Sequence, residues 1–251
     1  MQNGETRRHA PRSDGRTKGR YRISESVKRW LAELLGTYVL VVGGSFAILS
    51  SLRSEGTTSV VLIALGFGLA LLAGLYAFGE VSGGHFNPAV TLAMLIDGRN
   101  DVSTLVTYWI SQLVGALLAS LTILWATGAR LPVAATETTL GEGIEVWEGF
   151  LLEALFTAIF LAVILKATKS SNSGPTVFLG ISFTLIAINL ALIPFTGASV
   201  NPARSLAPWV VSGVGDNQWI YLIAPFVGAV VGWVVYKLVT DGFGAEPIDE
   251  T

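Results

Sequence analysis

The chain has 251 residues, of which 51% are hydrophobic and only 14% carry a charge, with a formal net charge of −2 and a mean hydropathy of +0.60. A soluble domain carries about 25% charged residues, so this composition excludes an ordinary soluble protein and favours a chain surrounded by lipid. The chain has no Cys and only two His, which excludes a disulfide framework and disfavours a metal or catalytic centre. The sequence therefore predicts a membrane protein that is not an enzyme and that binds no cofactor or metal.

The first 29 residues form a polar, basic tail that holds nine of the sixteen Lys and Arg residues. A cleavable signal peptide needs a short apolar run directly after its charges, whereas the run that begins at Trp30 is long enough to be retained as a span. The charge of the tail is compatible with nucleic-acid binding. A topogenic tail that touches anionic lipid headgroups is the simpler interpretation, and no nucleic-acid partner is predicted.

Six long apolar stretches are predicted to be transmembrane helices because each approaches the ~20 residues that cross ~30 Å of hydrocarbon. They lie at about 30–50, 58–79, 104–126, 149–166, 176–195 and 218–238. Two shorter apolar stretches, 87–97 and 201–212, reach only halfway across and are predicted to be re-entrant half-helices. The predicted fold is an all-α membrane domain over residues 30–240, followed by an acidic tail over 241–251.

The basic residues predict the orientation of the spans. If the N-terminus is cytoplasmic, thirteen Lys and Arg residues lie on the cytoplasmic side, and only Arg53 and Arg130 lie in outer loops. The outer loop between the third and fourth spans, 127–148, is acidic instead. This asymmetry predicts a multi-pass protein of the plasma membrane with both termini in the cytoplasm.

An internal repeat divides the chain into two halves, about 30–126 and 149–238. Three pairs of segments match, and their central residues are Glu33 with Glu153, Asn87 with Asn201, and Gly115 with Gly228, at offsets of 120, 114 and 113 residues. Each half contains three spans, an odd number, so the halves must cross the membrane in opposite orientations. Inverted repeats of this kind place the functional site near the midplane between the halves.

A three-residue motif opens each half-helix. The two copies are Asn87-Pro88-Ala89 and Asn201-Pro202-Ala203. Asn is a good N-cap and Pro is favourable at the first helical position, so either copy alone predicts only a helix start. Because the halves are inverted, the two half-helices enter from opposite faces. Their N-termini, with two positive dipole ends and two Asn amides, are then expected to meet at the midplane.

The segments SGGHFNPAVT (82–91), SVNPARS (199–205) and AELLGT (32–37) resemble the aquaporin (major intrinsic protein) family, and the resemblance covers about residues 28–240. It implies a bundle of six helices and two half-helices, assembled as a homotetramer with one pore per protomer. It also implies that the partners are water and the lipid bilayer. By this resemblance Asn87 and Asn201 donate hydrogen bonds to a passing water, and the paired dipole ends repel cations, so water flows passively without proton leak.

The same resemblance assigns four residues to a selectivity filter near the outer mouth, namely Phe67, Asn189, Ala198 and Arg204. At ~1.5 Å per residue, Phe67 and Asn189 both fall about 10–13 Å below the outer boundary, which is consistent with one shared constriction. Phe67 and Arg204 match the water-channel pattern. Asn189 stands where water-specific members usually carry His, and Ala198 is smaller than the usual Thr or Cys. We therefore expect a filter that is somewhat wider and less charged than a strict water filter.

Glycerol facilitators of the family typically carry Trp and Gly at the positions of Phe67 and Asn189, and Asp at the position of Ser205. Tyr221-Leu222, in contrast, stands where water channels tend to have two aromatic residues. The sequence predicts a water channel that also passes small neutral solutes, with a glycerol or small-polyol facilitator as the alternative. A secondary transporter needs an ion site at the midplane, and apart from Glu33 and Glu153 the sequence offers no carboxylate for one. A structural role through stacking is disfavoured by the acidic outer loop.

Three further residues are candidates for the pore or its support. Glu33 and Glu153 lie inside spans, where a carboxylate is expensive unless it is paired or functional. Each is either part of a proton relay or, as the resemblance favours, an acceptor of hydrogen bonds from the backbone of the loop before a half-helix. His85 is either a pH sensor or gate, or a residue that lines the inner vestibule and makes a local hydrogen bond.

Overall fold

A computed structural model describes residues 23–54, 59–169 and 176–241. Over these residues the chain is helical and contains no β-strand. Most of the basic N-terminal tail (1–22) and most of the acidic C-terminal tail (242–251) lie outside the described residues. The fold class that the sequence predicts is therefore confirmed for the membrane domain.

All six predicted spans are present as helices long and apolar enough to cross a membrane. They are α1 (Glu25–Arg53), α2 (Val60–Ser82), α4 (Val102–Thr127), α6 (Val146–Ala167), α7 (Thr176–Thr196) and α9 (Gln218–Tyr236). Helices α1 and α4 begin five and two residues before their apolar stretches, since Ser24 and Asp101 cap them by accepting from the backbone N–H groups of Val27 and Thr104. Polar caps of this kind lengthen the helices beyond the hydrophobic signal.

The two short apolar stretches are also helices, α3 (Pro88–Ile96) and α8 (Pro202–Ser212), with bounds close to those predicted. A further short helix, α5 (Arg130–Ala134), lies in the outer loop and was not predicted. A π-helical turn, Leu75–Gly79, interrupts the inner end of α2.

The half-helices end at opposite faces of the bundle, as an inverted repeat requires. After α3, the Asp97 carboxylate accepts a hydrogen bond from the indole N–H of Trp233 at 3.1 Å and pairs with Lys237 at 2.9 Å, near the inner end of α9. After α8, the hydroxyl of Ser212 donates to the carboxylate of Glu137 in the outer loop. Helix α3 therefore runs from the centre to the face at which α1 begins and α9 ends, which is called the inner face, and α8 runs to the opposite face, which is called the outer face.

Close helix crossings explain three of the glycines. A Cβ at Gly115 would collide with the backbone of Leu34 in α1, and Cβ atoms at Gly228 and Gly232 would collide with the backbone of α6 at Ala154 and Ala158. The equivalent crossings in the two halves thus use the same device, a small residue that lets two backbones approach.

The distribution of side chains is that of a membrane protein. Large apolar residues such as Val61, Leu151 and Phe183 are exposed on the outside of the bundle, whereas Glu33, Gln112 and Glu153 are completely buried within it. Apolar side chains face the lipid and polar ones face the space between the two halves, so the interior is where a site must be sought.

Candidate pore and its constriction

The two Asn side chains of the repeated motifs lie together at the centre of the bundle. The amide oxygen of Asn87 accepts from the backbone N–H of Ala89 at 2.9 Å, and that of Asn201 accepts from the N–H of Ala203 at 3.0 Å. Each oxygen therefore caps its own half-helix, which turns the amide nitrogen away from the helix.

Each amide nitrogen then reaches across to the other half of the repeat. Asn87 Nδ2 donates to the carbonyl of Val200 at 2.8 Å, and Asn201 Nδ2 donates to the carbonyl of Phe86 at 3.0 Å. A primary amide carries two N–H donors, so one from each Asn remains for the lumen that both residues line. The arrangement is reciprocal and holds two N–H donors in fixed directions.

The carbonyls that accept these bonds belong to residues with left-handed backbone. Phe86 has φ +48° and Val200 has φ +43°, a conformation that costs about 1–3 kcal/mol at a residue other than glycine. The backbone N–H of Phe86 donates to Glu33, and the N–H of Val200 donates to Glu153, each at 2.8 Å. A hydrogen bond to a charged group contributes about 1.5–3 kcal/mol, so the carboxylates offset the strain.

Both buried carboxylates accept further hydrogen bonds, some from the loops that precede the half-helices and some from side chains of the spanning helices. The remaining donors to Glu33 are the N–H of His85 and the side chains of Ser82 and Gln112, and those to Glu153 are the N–H of Ser199 and the hydroxyl of Thr196. A buried charge with three or four donors is satisfied in place. The two glutamates are thus positioned to hold the loops on which the Asn residues stand.

A narrow lumen of about 30 Å³ runs past the two Asn residues. The four residues assigned to the filter, Phe67, Asn189, Ala198 and Arg204, all line this lumen. At its inner end the lumen adjoins a vestibule of about 570 Å³, and His85 borders both.

The outer part of the lumen is narrowed by Arg204, which is only 4% exposed. Its guanidinium carbon lies 4.9 Å from the centre of the Phe67 ring, within the range of a cation–π contact. Its Nη1 donates to the carbonyl of Thr136 at 2.9 Å. Asn189 supplies a hydrogen-bond acceptor where Arg204 supplies donors. Its Nδ2 donates to the carbonyl of Leu185 in its own helix at 2.9 Å, which leaves the amide oxygen available to the lumen.

The outer loop contributes more than its sequence indicated. Glu137 belongs to the acidic loop that was expected to repel other molecules, yet its side chain is 8% exposed and accepts from Ser212 at the end of α8. Burial raises the pKa of Glu137, and the hydrogen bond from Ser212 lowers it in part. The flanking Thr136 holds Arg204, and the hydroxyl of Thr138 donates to that of Ser205 at 2.8 Å. A backbone carbonyl leaves no mark in the sequence, so the role of Thr136 could not be predicted.

His85 lies where the lumen meets the inner vestibule. Its Nδ1 is 3.1 Å from the hydroxyl of Thr91, the first residue of the second turn of α3. Among the described residues, no group of three or more His, Cys, Asp or Glu side chains is close enough to hold a metal ion. The site is therefore a lumen with mostly apolar walls, along which amides, carbonyls and one guanidinium provide hydrogen-bonding groups.

Comparisons with known proteins identify this arrangement. The family model described as major intrinsic protein matches residues 20–236. The chain is 39% identical over 211 residues to glycerol uptake facilitator protein-like 6 of Lactiplantibacillus plantarum, covering 82% of this chain and 94% of that protein. It is 36% identical over 216 residues to aquaporin Z of Brucella melitensis, covering 82% and 95%.

Among solved structures, the aquaglyceroporin from Plasmodium falciparum superposes with a TM-score of 0.79 at 26% identity, over 86% of this chain and 97% of that one. Sequence and fold agree over nearly the whole membrane domain. The chain therefore belongs to the major intrinsic protein family, whose members are channels for water or small solutes.

Proposed function

We propose that the chain is a passive channel that conducts water in preference to larger solutes and excludes protons and ions. The observation that carries the proposal is the pair of unused N–H donors of Asn87 and Asn201, which face one narrow lumen from the two halves. A water molecule that accepts from both is oriented with its own hydrogens along the lumen, away from the Asn pair. It cannot relay a proton through the centre in this orientation.

Two electrostatic barriers support the exclusion of cations. The N-termini of α3 and α8 meet at the centre, and each contributes roughly half a positive charge. Arg204 adds a full positive charge at the outer constriction, where low exposure reduces solvent screening. Hydronium and metal cations are thus repelled at two points along the same path, whereas neutral molecules are not.

The filter favours water over polyols but not strictly. The Phe67 ring and the Arg204 guanidinium restrict one side of the lumen, which suits water. Ala198 is small and Asn189 has no ring, so the opposite side leaves room for a small neutral solute. We propose that such solutes, glycerol included, pass more slowly than water.

The alternative is a glycerol or small-polyol facilitator, which relatives named as a glycerol uptake facilitator and an aquaglyceroporin favour. The site disfavours it at Ser205, where glycerol facilitators carry Asp. Ser205 is completely buried and exchanges hydrogen bonds with the hydroxyls of Thr138 and Ser199, 2.8 and 2.6 Å away. This position therefore holds the outer loop through neutral groups.

The supporting roles follow the contacts. We assign Glu33 and Glu153 to anchoring the two central loops, and His85 to the lining of the inner mouth. We propose a homotetramer in the plasma membrane with both termini in the cytoplasm, as the distribution of basic residues and the family resemblance indicate. The exposed apolar exterior of the bundle supports burial in lipid and against other protomers.

The experiment is a comparison of osmotic water permeability and glycerol permeability by stopped-flow light scattering, in proteoliposomes of the purified chain and in empty liposomes. We expect water flux well above that of empty liposomes and a smaller rise in glycerol flux. A glycerol flux that dominates, with water flux near the background, would establish the facilitator instead.

Arg204→Val tests the constriction in the same preparation. Loss of the guanidinium widens the filter and removes its charge, so we expect water flux to persist while glycerol and proton fluxes rise by about threefold to tenfold, the worth of one or two polar contacts. Arg130→Val is the matched control, because Arg130 is an exposed arginine of the outer loop that does not line the lumen. Equal effects of the two substitutions would remove Arg204 from the filter.

A further inference from the structure

A groove opens on the outside of the bundle, between the outer ends of α1 and α4 and the short helix α5. Its volume is about 220 Å³. It is lined by the last residues of α1, by Thr127 at the end of α4, and by Leu131, Pro132 and Ala135 in and directly after α5. None of these residues borders the lumen. The groove is therefore a feature separate from the pore.

The walls of the groove are apolar. Leu49 is buried in an apolar cluster, whereas Leu52 and Leu131 are 40% and 80% exposed. The hydroxyl of Thr127 donates to a carbonyl of its own helix at 2.7 Å, so it does not make the surface polar. Removing apolar surface from water is favourable by about 25 cal/mol for each Å². These walls therefore favour a hydrocarbon chain over a polar ligand.

Within the part of the chain that the structure describes, a single charged residue lines the groove. It is Arg53, an exposed residue whose guanidinium makes no hydrogen bond or ion pair with another described residue. The N–H donors of a guanidinium match the oxygens of a phosphate and bind them in pairs. The groove thus presents an unused phosphate-binding group beside an apolar surface.

The length of α1 places Arg53 among lipid headgroups. The helix runs over 29 residues, or about 43 Å, and Arg53 is its last residue. A bilayer measures about 30 Å across its hydrocarbon and about 40–45 Å with its headgroups, so the two ends of α1 reach the two headgroup layers. The phosphate groups of phospholipids lie at this level.

The apolar surface continues from the groove towards the middle of the membrane. Phe46 stands seven residues before Arg53, two turns lower on the same face of α1, and is 37% exposed. Leu124, one turn before Thr127 on α4, packs on the cluster that contains Leu49 and is only partly buried. An acyl chain that begins at the groove can therefore lie along the two helices within the hydrocarbon.

We propose that this groove binds one phospholipid of the outer leaflet, whose phosphate pairs with Arg53 and whose acyl chain lies against Leu52 and Leu131. Free phosphate would leave the apolar walls uncovered, and a lipid without phosphate would leave the guanidinium unused. A phospholipid fits both parts of the groove. Ala135, at the end of the groove, directly precedes the residue whose carbonyl holds Arg204, so the bound lipid also packs beside that segment.

The test titrates the purified full chain in detergent with phosphatidylglycerol that carries a photoreactive group on one acyl chain, and peptide mapping locates the crosslinks. We expect crosslinks within 46–53 and 127–135. Arg53→Gln should weaken binding at this site about fivefold, which corresponds to the contribution of about 1 kcal/mol from one Arg near a membrane surface. Arg130→Gln is the matched control and should leave the affinity unchanged, because Arg130 is an exposed arginine that reaches towards Gly213 and does not line the groove.

Competitors separate the two parts of the ligand. Unlabelled phosphatidylglycerol should displace the photoreactive lipid, whereas inorganic phosphate and diacylglycerol should displace it much less, since each occupies only one part of the site. Leu131→Gln should weaken binding about as much as Arg53→Gln, because it removes apolar surface and leaves the charge. If inorganic phosphate competes as well as phosphatidylglycerol, the groove is an anion site. If diacylglycerol does, Arg53 takes no part in binding. Either result overturns the proposal.

A structure of the protein in a lipid nanodisc gives a readout that needs no substitution. Density for a lipid whose headgroup lies within hydrogen-bond distance of the Arg53 guanidinium supports the proposal. Crosslinks that avoid the groove, an affinity that Arg53→Gln leaves unchanged, or a groove filled by a neighbouring protomer overturns it. Each of these results leaves the proposed channel function intact, since the groove and the lumen share no residue.

Discussion

The polar side chains that line the lumen use some of their hydrogen-bonding atoms within the protein and leave the others for a passing molecule. The side-chain oxygen of each central Asn accepts a hydrogen bond from its own half-helix, and one N–H donates to a carbonyl of the other half. The direction of the remaining N–H is thereby fixed. Arg204 is held by Thr136 and by the face of Phe67. Because these groups are fixed before a solute arrives, little further ordering is needed when a water passes.

Asn189 offers the first prediction at this scale. Its amide is turned by the bond to Leu185, so it presents an oxygen acceptor to the lumen and no ring. Asn189→His should narrow the filter and lower glycerol flux more than water flux, by several-fold, since a polar contact contributes about 0.5–1.5 kcal/mol. The measurement is the glycerol-to-water permeability ratio in proteoliposomes.

Asn189→Leu is the matched control, because it keeps the size of the side chain and removes its polar atoms. A ratio that His leaves unchanged would show that position 189 does not face the constriction. Position 198 is less suited to this test. Ala198 has φ +53°, a conformation that strains a β-branched residue such as Thr.

Residues whose side chains border the lumen could be named from the sequence, whereas backbone groups could not. The four filter residues, both Asn residues and His85 were named from the sequence, and all line the same lumen. The carbonyl of Thr136 was missed because any residue supplies a carbonyl, and only the path of the loop aims it at Arg204. Glu137 was taken for a surface charge because its partner, Ser212, is 75 residues away in the chain.

At the scale of helices, the two half-helices are fixed at both ends. Their N-termini are joined at the centre by the reciprocal Asn bonds. At the inner face, Arg99 pairs with Asp97 at 2.6 Å and donates to the carbonyl of Leu165 at 3.0 Å, which connects the end of α3 to α6. The outer end of α8 is held by Glu137. A half-helix is too short to be stable alone, so these bonds to the rest of the bundle hold it in place.

The close crossing of α6 and α9 gives a prediction at the scale of elements. Gly228→Ala places a Cβ against the backbone of Ala154, which cannot move without separating the helices, so we expect a loss of about 1–3 kcal/mol in unfolding free energy. Gly180→Ala in α7 meets no atom within 4 Å and should be neutral or slightly stabilising. Thermal unfolding of both variants in detergent measures the difference. Equal midpoints would mean that the crossing at Gly228 has space for a methyl group.

The helices themselves were largely predictable, since hydropathy and length decide which segments span a membrane. Their ends were less so, because capping by Ser24 and Asp101 extends α1 and α4 into polar sequence. Helix α5 was missed because five residues are too short for a periodic signal, and it is held by its contacts with α4 and α8. The π-helical turn in α2 likewise has no marker among Leu75–Gly79.

At the scale of the whole molecule, the two halves of the repeat are similar, and the positions at which they differ make the outer part of the lumen unlike the inner part. The loops, the carboxylates and the Asn residues are equivalent in the two halves. Arg204, however, is matched by Val90 at the offset of 114 residues, and both residues line the lumen. The outer half therefore has a charged constriction, whereas the inner half opens into the vestibule beside His85. A strictly symmetric repeat would give two equal constrictions, and the exchange of Val90 for Arg204 gives only the outer one a charge.

The complete absence of cysteine gives a prediction for the whole channel. Mercurials block a channel by attaching to a thiol beside its lumen, and this chain offers none. Mercuric chloride should therefore leave water flux in pure proteoliposomes unchanged.

Ala198→Cys should make the flux sensitive, since residue 198 lines the lumen and an unbranched Cys tolerates its backbone as Ala does. Gly180→Cys, on the exposed side of α7, is the control that should remain insensitive. Reductant should restore the flux of Ala198→Cys. Strong reversible inhibition of the unsubstituted chain, or none of Ala198→Cys, would show that water does not pass through this lumen as described.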